Sequence, residues 1–459
     1  MEINEKCGIF GIYSSEPDAA RLVYYGLWAL QHRGQEASGI ASTNGRQIFS
    51  HKGKGLVAHV YDENDLKKLK GNIAIGHNRY STFGKNDVDH AQPVCLNQNT
   101  IALAHNGNLP TVTKLQKFLK SNGIPTNGLN DSQMMHKAIE YWFVKGKSIE
   151  EAIKLNFSLF KGAFSLLVMT KNKLVAVRDE FGIRPLAFGK INGSFVFASE
   201  TCALDAIGAT FIREVMPGEM VVIDKNGPKS YQLASDKQNL DIFEYIYFAR
   251  PDSNLLGKSV YEVRKRFGIE LAKEVKLRGD IVVPVPDSAI PAAIGFSNAS
   301  KIPLEMALTK NRYIHRTFIT PAKNQRSTGV KMKLNLIKEV IKGKRVILID
   351  DSIVRGTTSK MLIELVKKAQ PKEIHLLVSS PPVKYPDFYG IDTPNQKDLI
   401  AANMSLPKLT KYIGANSLHY LSYNGMLKAI GIPEKNLCTS CFTGKYPISI
   451  GNKIKKIKF

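Results

Sequence analysis

An apolar run that ends in two adjacent carboxylates restricts the fold of this chain more than any other segment. In VILIDDSIVRGTTSK (346–360), Asp350 and Asp351 follow a strand-like stretch, and a glycine turn then leads into a helical pattern. Strand, turn and helix in this order predict one unit of a parallel α/β sheet, where ligands gather at the carboxyl ends of the strands. The alternation recurs around DIVVPVP (280–286) and EIHLLVSS (373–380). We therefore predict a parallel sheet with crossover helices for the second half.

The turn after the two acids is suited to a phosphate group. Backbone N–H groups and the dipole at the start of a helix favour an anion there. Two acids instead repel a phosphate and suit ribose hydroxyls, or a magnesium ion held through hydroxyls and water. A ribose 5-phosphate satisfies both halves, whereas acids that only cap the turn would be buried at a cost without a partner. The residues of this turn are Arg355, Gly356, Thr357, Thr358 and Ser359.

The segment resembles the binding motif of type I phosphoribosyltransferases, which use 5-phosphoribosyl-1-pyrophosphate (PRPP). The resemblance implies that VPVPDSAIPAA (283–293) forms the turn that holds pyrophosphate. It also implies that the basic segment 310–334 belongs to a flexible loop that closes over PRPP and couples the two halves of the chain. Magnesium is implied at Ser288, Asp350 and Asp351. The further PRPP-binding residues that it implies are Asp287, Ser288, Lys310 and Lys331.

In the first half, Cys7 of CGIFGI (7–12) has two explanations. Most lone cysteines are buried apolar side chains. Alternatively, removal of residues 1–6 exposes the α-amine of Cys7. An α-amine has a reference pKa of about 8, so it is partly neutral at physiological pH and can act as base for its own thiol.

Three polar turns in the first half supply what hydrolysis of an amide requires. Asn106 and Gly107, in HNGN, are suitable oxyanion donors through the side-chain amide and the backbone N–H. Arg79 can grip a carboxylate, and Asp131 can take an α-ammonium while it caps the next helix. Each motif alone is explained as a turn or cap; together with Cys7 they predict glutamine as the substrate.

This combination resembles glutamine amidotransferases of the N-terminal-nucleophile (Ntn) class, and LQHRGQEASGI (30–40) is a further match. The resemblance implies a four-layer αββα fold. It also implies that Arg33 shapes the surroundings of the nucleophile and that Thr82 contacts glutamine, as do Arg79 and Asp131.

The two halves together resemble the amidophosphoribosyltransferase family over about residues 7–445. We therefore expect an α/β protein with a removed prosegment (1–6), an Ntn domain (7–240), a type I phosphoribosyltransferase domain (241–445) and a basic tail (446–459). The resemblance implies that ammonia from glutamine crosses an internal channel and aminates PRPP in the first step of purine synthesis. It further implies Mg²⁺, feedback inhibition by purine nucleotides, and a homodimer or homotetramer.

Some relatives with a prosegment hold a [4Fe–4S] cluster with four cysteines. The resemblance aligns Cys438 and Cys441 with two of these, and Asp241 and Asp387 with the others. Because two cysteines do not hold such a cluster conventionally, we expect none. A zinc site made of the same four side chains is the alternative.

Charge and hydropathy exclude several other classes. The 459 residues favour two domains, and 64 Lys+Arg against 40 Asp+Glu give a net charge of +24. The basic residues are spread along the chain, and only KIKKIKF (453–459) is dense, so we expect a solvated, frayed end and no nucleic-acid partner. No apolar run reaches the roughly 18 residues of a membrane span, and MEINEK lacks a secretory signal. We expect a cytoplasmic protein that binds no membrane.

Two alternative functions remain at this point. One is a regulatory protein that senses PRPP without catalysis, with which the net charge is compatible. The other is an amidotransferase with a different acceptor, against which the Asp350–Ser359 motif argues.

Overall fold

The structure is a computed structural model, and it describes residues 7–79, 90–96, 100–311, 334–390, 393 and 395–458. Thr82 and Lys331, which the sequence assigns to glutamine and to PRPP, lie outside the described residues. The proposed prosegment and most of the loop 310–334 lie outside them as well.

Two antiparallel sheets form the first half. One has seven strands in the order β10-β8-β9-β1-β4-β2-β3, and the other has five in the order β12-β11-β7-β6-β5. The strands of these sheets are β1 Gly8–Tyr13, β2 Ala37–Thr43, β3 Ile48–Lys54, β4 Ile73–Arg79, β5 Ala102–Asn108, β6 Ala163–Met169, β7 Leu174–Arg178, β8 Ala187–Ile191, β9 Ser194–Ala198, β10 Thr210–Glu214, β11 Glu219–Asp224 and β12 Gly227–Gln232.

Helices cover the outer faces of both sheets and give four layers. Side chains of the seven-stranded sheet pack against α1 on one face and against the five-stranded sheet on the other. The five-stranded sheet packs its second face on α4, α5 and α6. The predicted αββα arrangement is therefore confirmed. The helices are α1 Ala19–Ala29, α2 Val57–Val60, α3 Glu63–Lys68, α4 Thr113–Ser121, α5 Asp131–Val144, α6 Ile149–Phe157 and α7 Thr201–Asp205.

Small residues let these layers approach closely. A Cβ added at Gly26 of α1 would lie 2.4 Å from the Phe10 ring, so glycine lets the helix rest directly on β1. A Cβ at Gly11, on the other face of β1, would lie 2.9 Å from Leu167 of the facing sheet. The small and large alternation of GIFGIY thus fits β1 between a helix and a second sheet.

The second half contains the predicted parallel sheet, with strand order β16-β19-β20-β21. All three pairings are parallel, and β19 pairs with β16 and β20 along its length. The strands of this half are β13 Leu240–Asp241, β14 Asn254–Leu255, β15 Lys258–Ser259, β16 Ile281–Pro284, β17 Leu308–Lys310, β18 Leu334–Leu336, β19 Arg345–Asp350, β20 Glu373–Val378, β21 Ser417–Tyr420 and β22 Leu437–Cys438.

Helices pack on both faces of this sheet, as the alternating pattern predicts. One cluster joins α8, α9 and α14 to the sheet, and a second joins α11 and α13 to it. The helices of this half are α8 Val260–Glu274, α9 Ile290–Ser300, α10 Lys338–Ile341, α11 Thr357–Lys367, α12 Ile400–Asn403, α13 Leu406–Ile413, α14 Tyr423–Ile430 and α15 Ser440–Thr443. Within the described part of the chain, no helix has the length and apolar character that a bilayer span requires.

The polar stretch 225–240 is not all linker. Its first part forms β12, which pairs with β11 in a hairpin, and its end begins β13. β13 pairs in parallel with β22 near the C-terminus, Asp241 opposite Cys438. The chain thus enters the second half beside its own C-terminal segment. The division at residue 240 stays a prediction.

Most of residues 446–458 are exposed, as a solvated tail would be, but three isoleucines anchor the tail to the protein. Ile448, Ile450 and Ile457 are buried against Phe388 and Tyr389. The Ile448 amide donates to the Tyr389 hydroxyl at 3.1 Å, and that hydroxyl donates to the Ile448 carbonyl. The lysines between the isoleucines face solvent, so one amphipathic segment combines a high charge with a buried face.

The buried tail predicts unequal effects of the same substitution at two isoleucines. Ile450 is 3% exposed and Ile454 is 41% exposed. Ile450→Asp should lower the free energy of unfolding by about 3 kcal/mol, because it buries an unpaired charge. Ile454→Asp should change it by less than about 0.5 kcal/mol. Urea unfolding of both variants measures this, and equal losses would mean that the tail does not pack as described.

Candidate active sites

The first site lies where β1 begins. Gly8 pairs with Asn78 of β4, so continuing this register by one residue puts Cys7 opposite Arg79. The Arg33 Nε atom donates to the Cys7 carbonyl oxygen at 3.0 Å. Cys7 itself is only partly buried. The structure therefore brings together the thiol and the two arginines that the sequence assigns to this site.

Asn106 reaches this region from the facing sheet. The Ser199 hydroxyl accepts one hydrogen bond from the Ile9 amide at 2.9 Å and another from Asn106 Nδ2 at 3.3 Å. The Ser199 side chain therefore links the predicted oxyanion donor to β1, the strand that directly follows Cys7. Asn106 is 2% exposed, so its amide acts in a nearly dry environment.

The N–H of Gly107 is directed away from its neighbouring strand. Gly107 lies opposite Phe164 in the β5–β6 pair, and both backbone groups of Phe164 are bonded to Asp179 instead. In an antiparallel strand, the backbone N–H groups of residues two apart point to the same side. Two residues before Gly107, the His105 amide donates to Gln92, on the side away from β6. Gly107 has φ 149°, and a Cβ there would lie 2.0 Å from the Ala163 carbonyl oxygen, so only glycine fits.

Asp131 differs in one respect from the expectation. It does not cap α5: Asn130 is the N-cap, and its side chain accepts from the Gln133 amide. The Asp131 carboxylate instead accepts from the Leu109 amide at 3.1 Å and the Ser132 amide at 2.8 Å. Because Leu109 directly follows β5, Asp131 lies beside the end of the strand that carries Asn106 and Gly107.

A buried ion-pair network surrounds Arg33. Its guanidinium binds both carboxylate oxygens of Glu244, at 2.7 and 3.0 Å, and also pairs with Glu200. All three side chains are fully buried. Burial opposes the charge of Arg33, yet the charges of Glu244 and Glu200 raise its pKa above the ordinary value. Sequence reasoning missed both acids, because Glu244 belongs to the other half and nothing local marks Glu200 as a partner.

The second site lies at the carboxyl end of β19. Asp350 is the last residue of the strand, and α11 begins at Thr357 after Gly356, which has φ 75°. A left-handed residue here is favourable only for glycine. Thr357 is exposed at the start of the helix, and Arg355 lies 4.0 Å from Asp398. One small open pocket is lined by Asp350, Ser352, Arg355, Gly356, Thr358 and Ser359.

The two acids of this site are buried next to each other. Asp350 is 6% exposed and Asp351 is 1% exposed. Burial and the neighbouring charge of Asp351 raise the pKa of Asp350 to about 7. Burial also raises the pKa of Asp351, against hydrogen bonds from Ser288 and Ser352. Two acids in this situation gain from a cation or from hydroxyl donors, which is the chemistry that magnesium and a ribose would supply.

The predicted pyrophosphate turn lies beside these acids. The Ser288 hydroxyl donates to the Asp351 carboxylate, so the ends of β16 and β19 are joined by their side chains. Asp287, which is exposed, pairs with Lys310 at 2.7 Å. Sequence reasoning assigned Asp287, Ser288 and Lys310 to one site, and the structure brings them together.

Comparisons with known proteins identify the family of the chain. Two family models match the chain: a glutamine amidotransferase domain over residues 77–206 and a phosphoribosyl transferase domain over residues 264–384. A relative from Synechococcus elongatus named amidophosphoribosyltransferase is 47% identical over 99% of this chain and 94% of its own. The chain belongs to the amidophosphoribosyltransferase family.

Two solved structures of this family cover nearly the whole chain. One is a glutamine PRPP amidotransferase from Bacillus subtilis complexed with ADP and GMP; it has a TM-score of 0.90 and 43% identity, and the match covers 97% of this chain and 98% of that one. The other is described as the allosteric regulatory enzyme of purine biosynthesis, with a TM-score of 0.91, 42% identity and 99% of both chains covered. The predicted two-part α/β fold of an amidophosphoribosyltransferase is thereby confirmed.

The four side chains aligned with cluster cysteines lie close together in the structure. Asp241 and Cys438 lie opposite each other in the backbone pairing of β13 and β22. The Ser440 hydroxyl donates to Asp387 at 3.2 Å. Burial, followed by the charges of Asp387 and Asp241, raises the pKa of Cys438, and the same causes raise that of Cys441. Arg184 lies 3.2 Å from Asp241. Among the described residues, no group of three or more His, Cys, Asp or Glu side chains is arranged to hold a metal ion.

The pKa of Asp350 predicts a pH-dependent effect of Asp350→Asn on stability. An acid whose pKa rises from 3.8 to about 7 on folding makes the fold less stable as pH rises through that window. The variant cannot ionise there. Its free energy of unfolding should exceed that of the wild type by about 4 kcal/mol at pH 8, and the difference should shrink towards pH 4. Urea unfolding without Mg²⁺ measures this, and a difference that is constant with pH would contradict it.

Proposed function

We propose that the two sites perform the two parts of the amidophosphoribosyltransferase reaction. This reaction aminates PRPP to 5-phosphoribosylamine with nitrogen from glutamine and releases glutamate and pyrophosphate, in purine biosynthesis. The observation that carries the assignment of the first site is that Arg33 donates to the Cys7 carbonyl, while Asn106 is linked through Ser199 to Ile9 of β1. Cys7 is therefore the thiol that acts on the amide.

In the first part, removal of residues 1–6 frees the α-amine of Cys7, which takes the thiol proton. The sulfur attacks the amide carbon, and Asn106 Nδ2 and the Gly107 N–H stabilise the resulting oxyanion. The C–N bond breaks, the proton goes to the nitrogen, and ammonia leaves a γ-glutamyl thioester. Water then breaks the C–S bond and gives glutamate. Arg79 binds the α-carboxylate of glutamine and Asp131 its α-ammonium, with Thr82 and Arg33 completing the site.

In the second part, the 5-phosphate binds the turn of Arg355, Gly356, Thr357, Thr358 and Ser359. Asp350 and Asp351 hold the ribose hydroxyls, and with Ser288 they would hold magnesium, which would neutralise pyrophosphate charge. Asp287, Lys310 and Lys331 act at the pyrophosphate. Ammonia arrives through an internal channel, its nitrogen bonds to ribose C1, the C1–O bond breaks, and pyrophosphate leaves with the electron pair. Position and charge stabilise the oxocarbenium-like transition state.

The remaining features of the proposal concern regulation and location. We infer purine-nucleotide inhibition, which the ADP and GMP bound to the Bacillus subtilis relative support. A homodimer or homotetramer in the cytoplasm belongs to the same proposal. A PRPP sensor without catalysis is the less favoured alternative, because it gives no role to the contacts of Arg33 and Asn106 near Cys7.

Cys7→Ala should separate the two parts of the reaction. Glutamine-dependent synthesis should fall at least 10³-fold because the nucleophile is lost, roughly the scale of losing such a residue elsewhere. Synthesis from added ammonia should stay within twofold of the wild type. The matched control is Cys95→Ala, at another partly buried cysteine of the same half. The measurement is PRPP-dependent glutamate and pyrophosphate release, with the mass of the purified protein reporting removal of residues 1–6.

A loss of both activities in Cys7→Ala would contradict separate sites. Retention of glutamine use would contradict the role of Cys7 as nucleophile. Full activity in a protein that still carries Met1 would contradict the α-amine as base.

We also propose that the chain holds no iron–sulfur cluster. The donor set has two carboxylates and two thiols of raised pKa, and Arg184 occupies the space next to Asp241. Protein purified without oxygen should contain less than about 0.1 iron and 0.1 zinc per chain by elemental analysis and should lack the visible absorption of such a cluster. One zinc per chain would support the four-residue zinc site instead, and four iron would overturn the proposal.

A further inference from the structure

Two hydrogen bonds join Ser199 to Ile9 of β1, the strand that directly follows Cys7. Its backbone amide donates to the Ile9 carbonyl oxygen at 3.0 Å. Its hydroxyl accepts from the Ile9 amide at 2.9 Å. Ser199 follows the last residue of β9, so the hydroxyl replaces the carbonyl that would continue the strand pairing. The side chain is fully buried, and both bonds act two residues from the thiol.

The same hydroxyl also accepts from Asn106 Nδ2, at 3.3 Å. A side-chain amide has two N–H groups on one nitrogen. Fixing one of them on Ser199 turns the nitrogen, rather than the oxygen, towards β1 and leaves the second N–H in a defined direction. An amide rotated by 180° would instead present its oxygen to a developing negative charge.

We propose that Ser199 is a positioning residue for glutamine hydrolysis: it sets the orientation of the Asn106 amide relative to Cys7. This inference rests on the proposed role of Asn106 as oxyanion donor. Oxyanion stabilisation depends on donors that are already aligned when charge develops, and small displacements cost large factors in rate. Ser199 acts on the reaction through Asn106, whose amide it holds in position.

Ser199→Ala should lower kcat for glutamine hydrolysis about tenfold and change KM for glutamine less than twofold. Binding of glutamine does not need the oxyanion donor, so the loss falls on kcat. Ammonia-dependent synthesis, which uses the other site, should stay within twofold. Ser199→Thr keeps the hydroxyl and should restore most of kcat.

Ser194→Ala is the matched control. Ser194 is the first residue of β9, is 4% exposed, and accepts from the Ser15 amide at 3.0 Å. It thus accepts a hydrogen bond from a backbone amide of the chain just past the end of β1, at the end of β9 opposite to Ser199. Ser194→Ala should cost a similar amount of thermal stability and leave kcat for glutamine within twofold.

A double-mutant cycle with Asn106→Ala tests the route. If Ser199 acts through Asn106, Ser199→Ala should lower kcat no further in the Asn106→Ala background. Losses that multiply, an unchanged kcat in Ser199→Ala, or an equal loss in Ser194→Ala would each overturn the inference. If Ser199→Ala yields no folded protein, Ser199→Thr against Ser199→Val gives the same comparison, because the two differ by one hydroxyl at equal shape.

The cycle also separates this inference from the proposed function. Full glutamine hydrolysis by Asn106→Ala would refute the oxyanion role of Asn106, and the inference with it. A loss in Asn106→Ala without a loss in Ser199→Ala would refute only the role of Ser199.

Discussion

The bidentate ion pair between Arg33 and Glu244 joins the two halves of the molecule. Both side chains are fully buried, and each has a second charged partner, Glu200 for Arg33 and Arg184 for Glu244. Arg33 also fixes the carbonyl of Cys7, and Glu244 begins the turn of π-helix Glu244–Phe248 in the second half. Removing one partner of such a pair typically costs about 3–5 kcal/mol, because the other charge stays buried. This pair therefore helps to hold the nucleophile strand against the second half, together with contacts such as that of Ser253 with Glu200.

The same turn of helix is held from its other side by Arg264. This arginine donates to the Tyr245 carbonyl at 2.7 Å and to the Ala249 carbonyl at 2.8 Å. Burial lowers its pKa to about 10, and Asp351 is the strongest charge that opposes this shift. Two buried arginines thus bind the segment Glu244–Phe248: Arg33, next to Cys7, and Arg264, near the acids of the second site. The distance between the sites is set by buried polar contacts rather than by a linker.

Sequence reasoning succeeded where the chemistry is local and failed where it depends on packing. The segment from Arg345 to Lys367 was predictable because strand, acids, glycine turn and helix follow one another along the chain. The contact of Ser199 with Asn106 was not, since the two residues lie 93 positions apart on facing sheets. The anchoring of the tail was missed for a different reason. Its lysines dominate the composition, while the buried side depends on three isoleucines whose partner, Tyr389, lies far away in the sequence.

Charge balance in the interface explains how two acids persist at Asp241 and Asp387. Arg184 donates to Glu244 at 3.0 Å and lies 3.2 Å from Asp241, so one cation serves two carboxylates. Burial raises the pKa of Asp241 to about 8, while Arg184 opposes this rise and the charges of Asp387 and Glu244 add to it. Burial at this position therefore favours the neutral, protonated form of Asp241, which lessens the negative charge near Arg184. A buried carboxylic acid that keeps its proton needs no metal ion for compensation.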